Sequence, residues 1–179
     1  MNFFKCTACG GCCSGDGSVF LYPEDVRNLA ENFKMTLQEF IDKYTDFIIL
    51  EYCEEGSSYS YLPYIVMKKE NDACIFLKSK RCSIHDFKPF QCRNTPFVSE
   101  FFTDKEWRTF LMHHCPALMR LKEEDLEQYR PMAQVSYEKN QDYEFILRQN
   151  NYSLDKILGV TLSEPKIIPV DEYKISPPN

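Results

Sequence analysis

A chain of 179 residues is the length of one domain and can bury roughly 70% of the surface its unfolded form exposes, so it needs no metal merely to make up for a small core. Its formal net charge of −6 leaves nucleic acid and anionic membranes without the positive charge that draws proteins to them. No apolar run approaches the ~20 residues of a membrane span, and the first five residues lead straight into a cysteine with no signal-peptide apolar segment. The expectation is a cytoplasmic protein with no nucleic-acid and no membrane partner.

In chain order, the first feature is four thiols in eight residues: Cys6, Cys9, Cys12 and Cys13, in the run Cys-Thr-Ala-Cys-Gly-Gly-Cys-Cys. A core has no use for this density, because cysteine packs only as a small hydrophobe, whereas soft ligands converging on a soft metal require it. Gly10 and Gly11 permit tight positive-φ turns between the thiols and can aim N–H groups at thiolate or sulfide. Pro23-Glu24-Asp25 then opens a helix, continued at helical spacing by Val26, Leu29, Ala30 and Phe33. Thr36-Leu37-Gln38-Glu39 reads as a capping box that starts a second helix, with Leu37, Phe40, Ile41 and Tyr44 as its buried stripe.

Residues 47–53 and 59–68 are rich in β-branched and aromatic side chains, and Glu54-Glu55-Gly56-Ser57-Ser58 between them predicts a hairpin. Pro63 places the second strand at an edge or a bulge. Residues 71–97 lack regular patterning and hold Cys74, Cys82 and Cys92, as a loop-rich layer held by its ligands would. Thr103-Asp104-Lys105-Glu106 reads as another capping box, and Trp107, Phe110 and Leu111 set the face of a helix leading to Cys115. The acidic helical stretch through Glu123-Glu124-Asp125 is broken or kinked at Pro131 before the stripe of Tyr143, Ile146 and Leu147. A short helix around Leu154, Ile157 and Leu158 follows. From Pro165 four prolines in fifteen residues favour an extended tail. No internal repeat is visible. The organisation read from the chain is a metal-binding domain over residues 1–164 and a proline-rich tail over 165–179. The fold class is α+β: one helix-dominated domain with a small β-hairpin and an irregular cysteine-rich layer that binds metal.

Eight of the nine cysteines form a set, and in a reducing compartment they serve as ligands rather than disulfides. The set carries a resemblance through Cys6-x-x-Cys9-Gly10-x-Cys12-Cys13, Cys74-Ile75-Phe76-Leu77 and Cys82-Ser83-Ile84-His85. It continues through Lys88-Pro89-Phe90-Gln91-Cys92-Arg93-Asn94-Thr95-Pro96-Phe97 to Cys115-Pro116. The chain resembles the YkgJ-like cysteine-cluster family, a proposed zinc- or iron-chelating CxxCxxCC domain. That family usually shows tyrosine where His85 stands, arginine at Lys88 and an aromatic at Thr95. An arginine at 88 would be a planar bidentate donor, for which lysine is no equivalent. A similar cysteine domain occurs in flagellin lysine methylases, but no Gly-rich nucleotide loop is present here, and methyl transfer is not expected.

Two metals suit these residues. Cys6-x-x-Cys9-x-x-Cys12 is the spacing by which many iron–sulfur proteins hold three irons of a cubane, with a remote cysteine as the fourth ligand. Zinc is the alternative, since eight cysteines complete two Cys₄ sites. The wide spacing from Cys74 to Cys82 to Cys92 tips the reading to an iron–sulfur cluster over zinc. Adjacent side chains diverge, so Cys12 and Cys13 either serve different centres or divide into one ligand and one reserve. With iron–sulfur, the protein is a redox or electron-carrying protein, or an oxidoreductase component with a protein redox partner. With zinc, it is a structural or interaction module without chemistry of its own.

Lesser candidates sit beside the ligands. His85 either bonds to a ligand sulfur from outside the metal's own contacts or lies on the surface, and Arg93 either donates to a thiolate and offsets cluster charge or joins an ordinary surface ion pair. His113-His114, just before Cys115, reads as a helix end, with imidazole ligation as the other possibility. Trp107 and the many Phe and Tyr residues fill the core and limit water at the cluster. No nucleophile–base pair, phosphate loop or carboxylate pair stands out, and the acids at 123–127 form a solvated face. Cys53 stands apart on the first strand, followed by Glu54-Glu55, whose charge disfavours a thiolate. It is not expected to bind metal.

Overall fold

A computed structural model describes residues 4–14, 17–54, 58–170 and 172, with the side chains of Cys53, Glu54 and Ser58 outside the description. A two-residue strand, β1 (Phe20–Leu21), leads into α1 (Pro23–Phe33). Pro23 occupies the first turn of α1, and the Asp25 carboxylate there accepts from the Tyr22 N–H at 3.3 Å and, through its other oxygen, from the Phe90 N–H at 2.8 Å. Helix α2 (Leu37–Tyr44) starts as its sequence requires: Thr36 Oγ1 accepts from the Glu39 N–H, and the Glu39 carboxylate accepts from the Thr36 N–H at 2.7 Å. Val26, Leu29, Ala30, Phe40 and Ile41 are buried between the two helices and the rest of the core.

Strands β2 (Thr45–Glu54) and β3 (Ser58–Met67) form the predicted hairpin, antiparallel from Thr45↔Met67 to Glu54↔Ser58. Its tip, residues 55–57, lies outside the described residues. β1 pairs with β3 only at Ile65 and Val66. Pro63, opposite Ile49, falls on the part of that edge which β1 leaves uncovered. Its carbonyl turns outward to accept from the Tyr143 hydroxyl at 2.7 Å. The N–H that proline lacks is therefore missing from an open edge rather than from a ladder.

Residues 69–82, expected without regular pattern, fold into two miniature hairpins: β4 (Lys69–Glu70) with β5 (Ala73–Cys74), and β6 (Leu77–Lys78) with β7 (Arg81–Cys82). Each turn has two residues at positive φ, Asn71 and Asp72 at 51° and 59°, Ser79 and Lys80 at 48° and 61°, the conformation that type I′ turns require. Two-residue strands are too short for alternation to show in a sequence.

Short helices α3 (Phe90–Asn94) and α4 (Ser99–Thr103) precede α5 (Lys105–His114). The cap of α5 is Asp104, not Thr103: its carboxylate accepts from the Glu106 and Trp107 N–H groups, both at 2.9 Å. Thr103 closes α4 instead, its hydroxyl donating to Ser99 O. Three single 3₁₀ turns at Leu118–Arg120, Glu123–Asp125 and Glu127–Tyr129 lead to α6 (Arg130–Gln149). Pro131 lies in the first turn of α6, so the break falls before the helix and the helix itself runs on for 20 residues. After α7 (Leu154–Leu158), the tail makes a fourth strand, β8 (Lys166–Pro169), parallel to β2. The sheet order is β1-β3-β2-β8. Residues 166–169 are thus extended, as prolines favour, and paired, with Ile168 packed on buried Ile48, Leu50 and Val66. Residues 171 and 173–179 lie outside the description.

The result is the mixed α+β domain read from the sequence, with a main core over the sheet and a second cluster of Phe97, Phe101, Leu118, Leu121 and Leu126. Phe4 docks on that second cluster, edge-on to Phe97 at 5.0 Å, and its N–H donates to the Tyr129 hydroxyl. Among the described residues, no helix is long and apolar enough to cross a membrane.

Candidate metal centre

The N-terminal strap reaches the other cysteines because Gly10 lets it turn. Gly10 has φ 81° and ψ −4°, and its carbonyl accepts from the Cys13 N–H at 2.9 Å and the Ser14 hydroxyl at 3.0 Å. A one-turn 3₁₀ helix over Gly11–Cys13 follows. A side chain at Gly10 would meet Leu77 Cδ1 at 2.7 Å and Lys80 O at 3.0 Å, so the strap lies against the β6–β7 turn. Ser14 forms an isolated bridge with Ala73 of β5. Gly11 approaches His114 O, at the end of α5 and next to Cys115. One short strap therefore touches both hairpins and α5.

The two hairpins repeat a local unit that the sequence reading missed. In each, a two-residue turn is followed by a cysteine, Cys74 or Cys82, and two residues later by a buried apolar side chain, Phe76 or Ile84. The Phe76 N–H favours the charged form of the Cys74 sulfur and the Ile84 N–H that of Cys82. The Ala117 and Leu118 N–H groups do the same for Cys115 at the end of α5. Such N–H groups stabilise thiolate charge and fix the ligand's direction. The signal was present as an eight-residue offset between Cys74 and Cys82, matched by Phe76 and Ile84.

The thiols of Cys12, Cys13 and Cys82 stand close enough to govern one another's ionisation. The Cys12 and Cys82 sulfurs beside it, with burial, push the Cys13 thiol well above the ordinary range. Cys82 drops to about 6, chiefly through the Cys13 S–H and further through the Ile84 N–H, Lys88 and His85. Cys12 drops to about 7, again chiefly through Cys13 and helped by the Lys88 ammonium. Burial pushes Cys92 up, and the charges of Cys12, Cys74 and Cys82 push it further. Burial likewise raises Cys74 and Cys115, the latter lying in the field of Cys9 and Cys12. Cys12, Cys13, Cys74, Cys82 and Cys92 thus share one neighbourhood, and Cys9 and Cys115 border it.

The donor chemistry suits a soft metal, since the thiols share one neighbourhood and two of them, Cys12 and Cys82, lose their protons more readily than an ordinary thiol. The sulfurs meet in pairs, however: among the described residues, no group of three or more His, Cys, Asp or Glu side chains is gathered as a finished coordination site. A metal would have to draw the thiols inward and take the place of their protons. Cys6 lies in the strap between the Phe4 anchor and Ala8, itself at φ 55°. Lys88 stands within electrostatic reach of Cys12, Cys82 and Cys92. Exposed Arg93 donates from Nη1 to the Lys88 carbonyl at 2.9 Å. His85 lies beside Cys82. His113 and His114 are exposed, with Nδ1 of each 2.7 Å from a carbonyl of α5. Cys53 is on β2, in register with Tyr59. A cavity of about 880 Å³ lies between the sheet, α3, α5 and α6, lined by aromatic residues such as Tyr64, Trp107 and Tyr143 and by none of the eight cysteines.

A family model named CxxCxxCC, described as "Putative zinc- or iron-chelating domain", matches residues 5–116, from beside Cys6 to just past Cys115. No solved structure matches the chain.

Proposed function

The chain belongs to the CxxCxxCC family, whose model spans more than half of it, and from that premise we propose that it is an iron–sulfur protein with a redox or electron-transfer role. Its ligands are drawn from Cys6, Cys9, Cys12, Cys13, Cys74, Cys82, Cys92 and Cys115. The observation that carries this reading is that the strap lies on both hairpins and brings Cys12 and Cys13 into one neighbourhood with Cys74, Cys82 and Cys92 of α3. A bound cluster supplies one-electron chemistry. The chain's own residues tune it. Lys88 offsets thiolate charge, and Arg93 holds Lys88 in place through its carbonyl. Backbone N–H groups on Cys74, Cys82 and Cys115 orient the ligands. A reducing compartment, the cytoplasm, keeps such thiols available, and the electron passes to a protein partner, with or without a larger oxidoreductase around it.

The second reading is a zinc-held structural or interaction module. The twin hairpins favour it, because thiols each supported by a backbone N–H suit closed Cys₄ sites. Protein purified without oxygen decides between the two. The iron–sulfur reading expects brown protein absorbing near ~400 nm with acid-labile sulfide. Colourless protein with stoichiometric zinc supports the module, and protein that takes neither metal, as isolated or after reconstitution, defeats both.

A further inference from the structure

We infer that His85 is itself a ligand of the centre, bonding metal through Nε2, which makes the sphere mixed sulfur and nitrogen. The inference rests on the metal-binding reading above and deepens it. The His85 ring is held edge-in: its side chain is 35% exposed, yet Nε2 is fully covered and has no hydrogen-bond partner among the described residues. Nδ1 lies on the outer side, 3.8 Å from the carboxylate of fully exposed Asp86. A carboxylate there favours the proton on Nδ1 and leaves the Nε2 lone pair facing inward, the form in which histidine binds metals. Cys82 lies within electrostatic reach of the ring. Even so, Nε2 makes no bond to that sulfur, so a sulfur-bonded role in the outer sphere leaves the nitrogen unexplained. The backbone that carries the ring is set by the 3₁₀ turn His85–Phe87, closed by the Phe87 N–H on Ile84 O at 3.1 Å. The other unpartnered buried nitrogen, Trp107 Nε1, has no lone pair to offer. His113 and His114 are exposed and tied to their own helix through Nδ1.

Cobalt(II) is the probe, added without oxygen to the full chain and to His85→Ala, His85→Asn and His114→Ala. X-ray absorption at the cobalt edge counts nitrogen and sulfur neighbours, and the visible d–d bands follow the same change. The wild type is expected to show a nitrogen at about 2.0–2.1 Å beside its sulfurs. Both His85 variants should lose that nitrogen and bind cobalt at least tenfold more weakly, and His114→Ala should match the wild type. An all-sulfur sphere in the wild type overturns the inference and leaves the metal-binding reading standing. So does a nitrogen that survives in both His85 variants. Failure of the wild type to bind cobalt at all also overturns the inference, while the iron, sulfide and zinc content of the anaerobic protein decides the metal-binding reading separately.

Discussion

Replacing Gly10 by alanine strikes the contact that seats the strap on the β6–β7 turn. At φ 81° and ψ −4° the residue is left-handed, which disfavours an L side chain by about 1–2 kcal/mol. The added methyl would also stand 2.7 Å from Leu77 Cδ1 and 3.0 Å from Lys80 O. The leucine methyl can swing aside. The carbonyl cannot, because it belongs to a two-residue turn whose residues are both at positive φ. Overpacking of this kind costs about 1–3 kcal/mol, and alanine returns under about 1 kcal/mol by restricting the unfolded chain. The net is roughly 1–4 kcal/mol against docking of the strap. With each 1.4 kcal/mol a factor of ten, metal affinity should fall between about 5-fold and 700-fold. Gly11→Ala is the matched control. A methyl there meets Cys9 Sγ at 3.7 Å and His114 O at 4.0 Å, ordinary contacts, and affinity should stay within about threefold of wild type. The assay is anaerobic competition against a coloured chelator, run on the three proteins side by side. Equal affinity for Gly10→Ala and wild type, or equal losses at both glycines, would refute the seating of the strap described above.

Three further outcomes follow from the same geometry. In metal-free protein, thiolate builds at Cys82 through about pH 6 and at Cys12 through about pH 7 as pH rises. Peptide mapping after brief iodoacetamide treatment at neutral pH should therefore find these two modified ahead of Cys92 and Cys115, whose pKa values are raised, and Cys92 labelled first would contradict that order. Deleting residues 165–179 removes β8 and the contact of Ile168 with Ile48 and Leu50. The loss of about 1.5–3 kcal/mol lowers the melting temperature by several degrees with metal content unchanged, and an unshifted thermal melt would show that the strand adds nothing. Cys53→Ser should keep full metal occupancy while Cys9→Ser and Cys92→Ser lose it, with metal per chain as the measurement; an empty Cys53→Ser protein would force the ligand set to be redrawn.

Local chemistry was legible and distant contact was not. Thr36 and Glu39 announce α2 because a capping box is complete within four residues. The β2–β3 pairing is legible because ten-residue strands carry enough β-branched and aromatic side chains to show. At α5, two residues compete for one role, and Asp104 wins because its carboxylate reaches two N–H groups at once. The β4–β5 and β6–β7 hairpins were hidden by their brevity and by turns built from Asn-Asp and Ser-Lys in place of glycine. β8 could not be read either, since its partner lies more than a hundred residues earlier, and prolines at 165 and 169 argue for extension without saying what the extended chain pairs with. For the centre, the eight cysteines stood out at once. That the strap lies on the Lys80 carbonyl and beside the end of α5 depends on tertiary contacts that no spacing encodes.

The seat of the strap beside Cys115 also has a consequence for the unfolded chain. Any bond that ties the strap to the end of α5, through a metal or otherwise, closes a loop of roughly a hundred residues, whereas one between Cys74 and Cys82 closes only about eight. In the chain-entropy account the longer closure removes about 4–5 kcal/mol of freedom from the denatured ensemble, well above what the short one removes. The partners of the four thiols in the strap lie far along the chain, so such a closure would come after much of the intervening chain has folded. A cross-link there would act as a late clasp, withholding its stabilisation until almost everything between its two ends has taken shape.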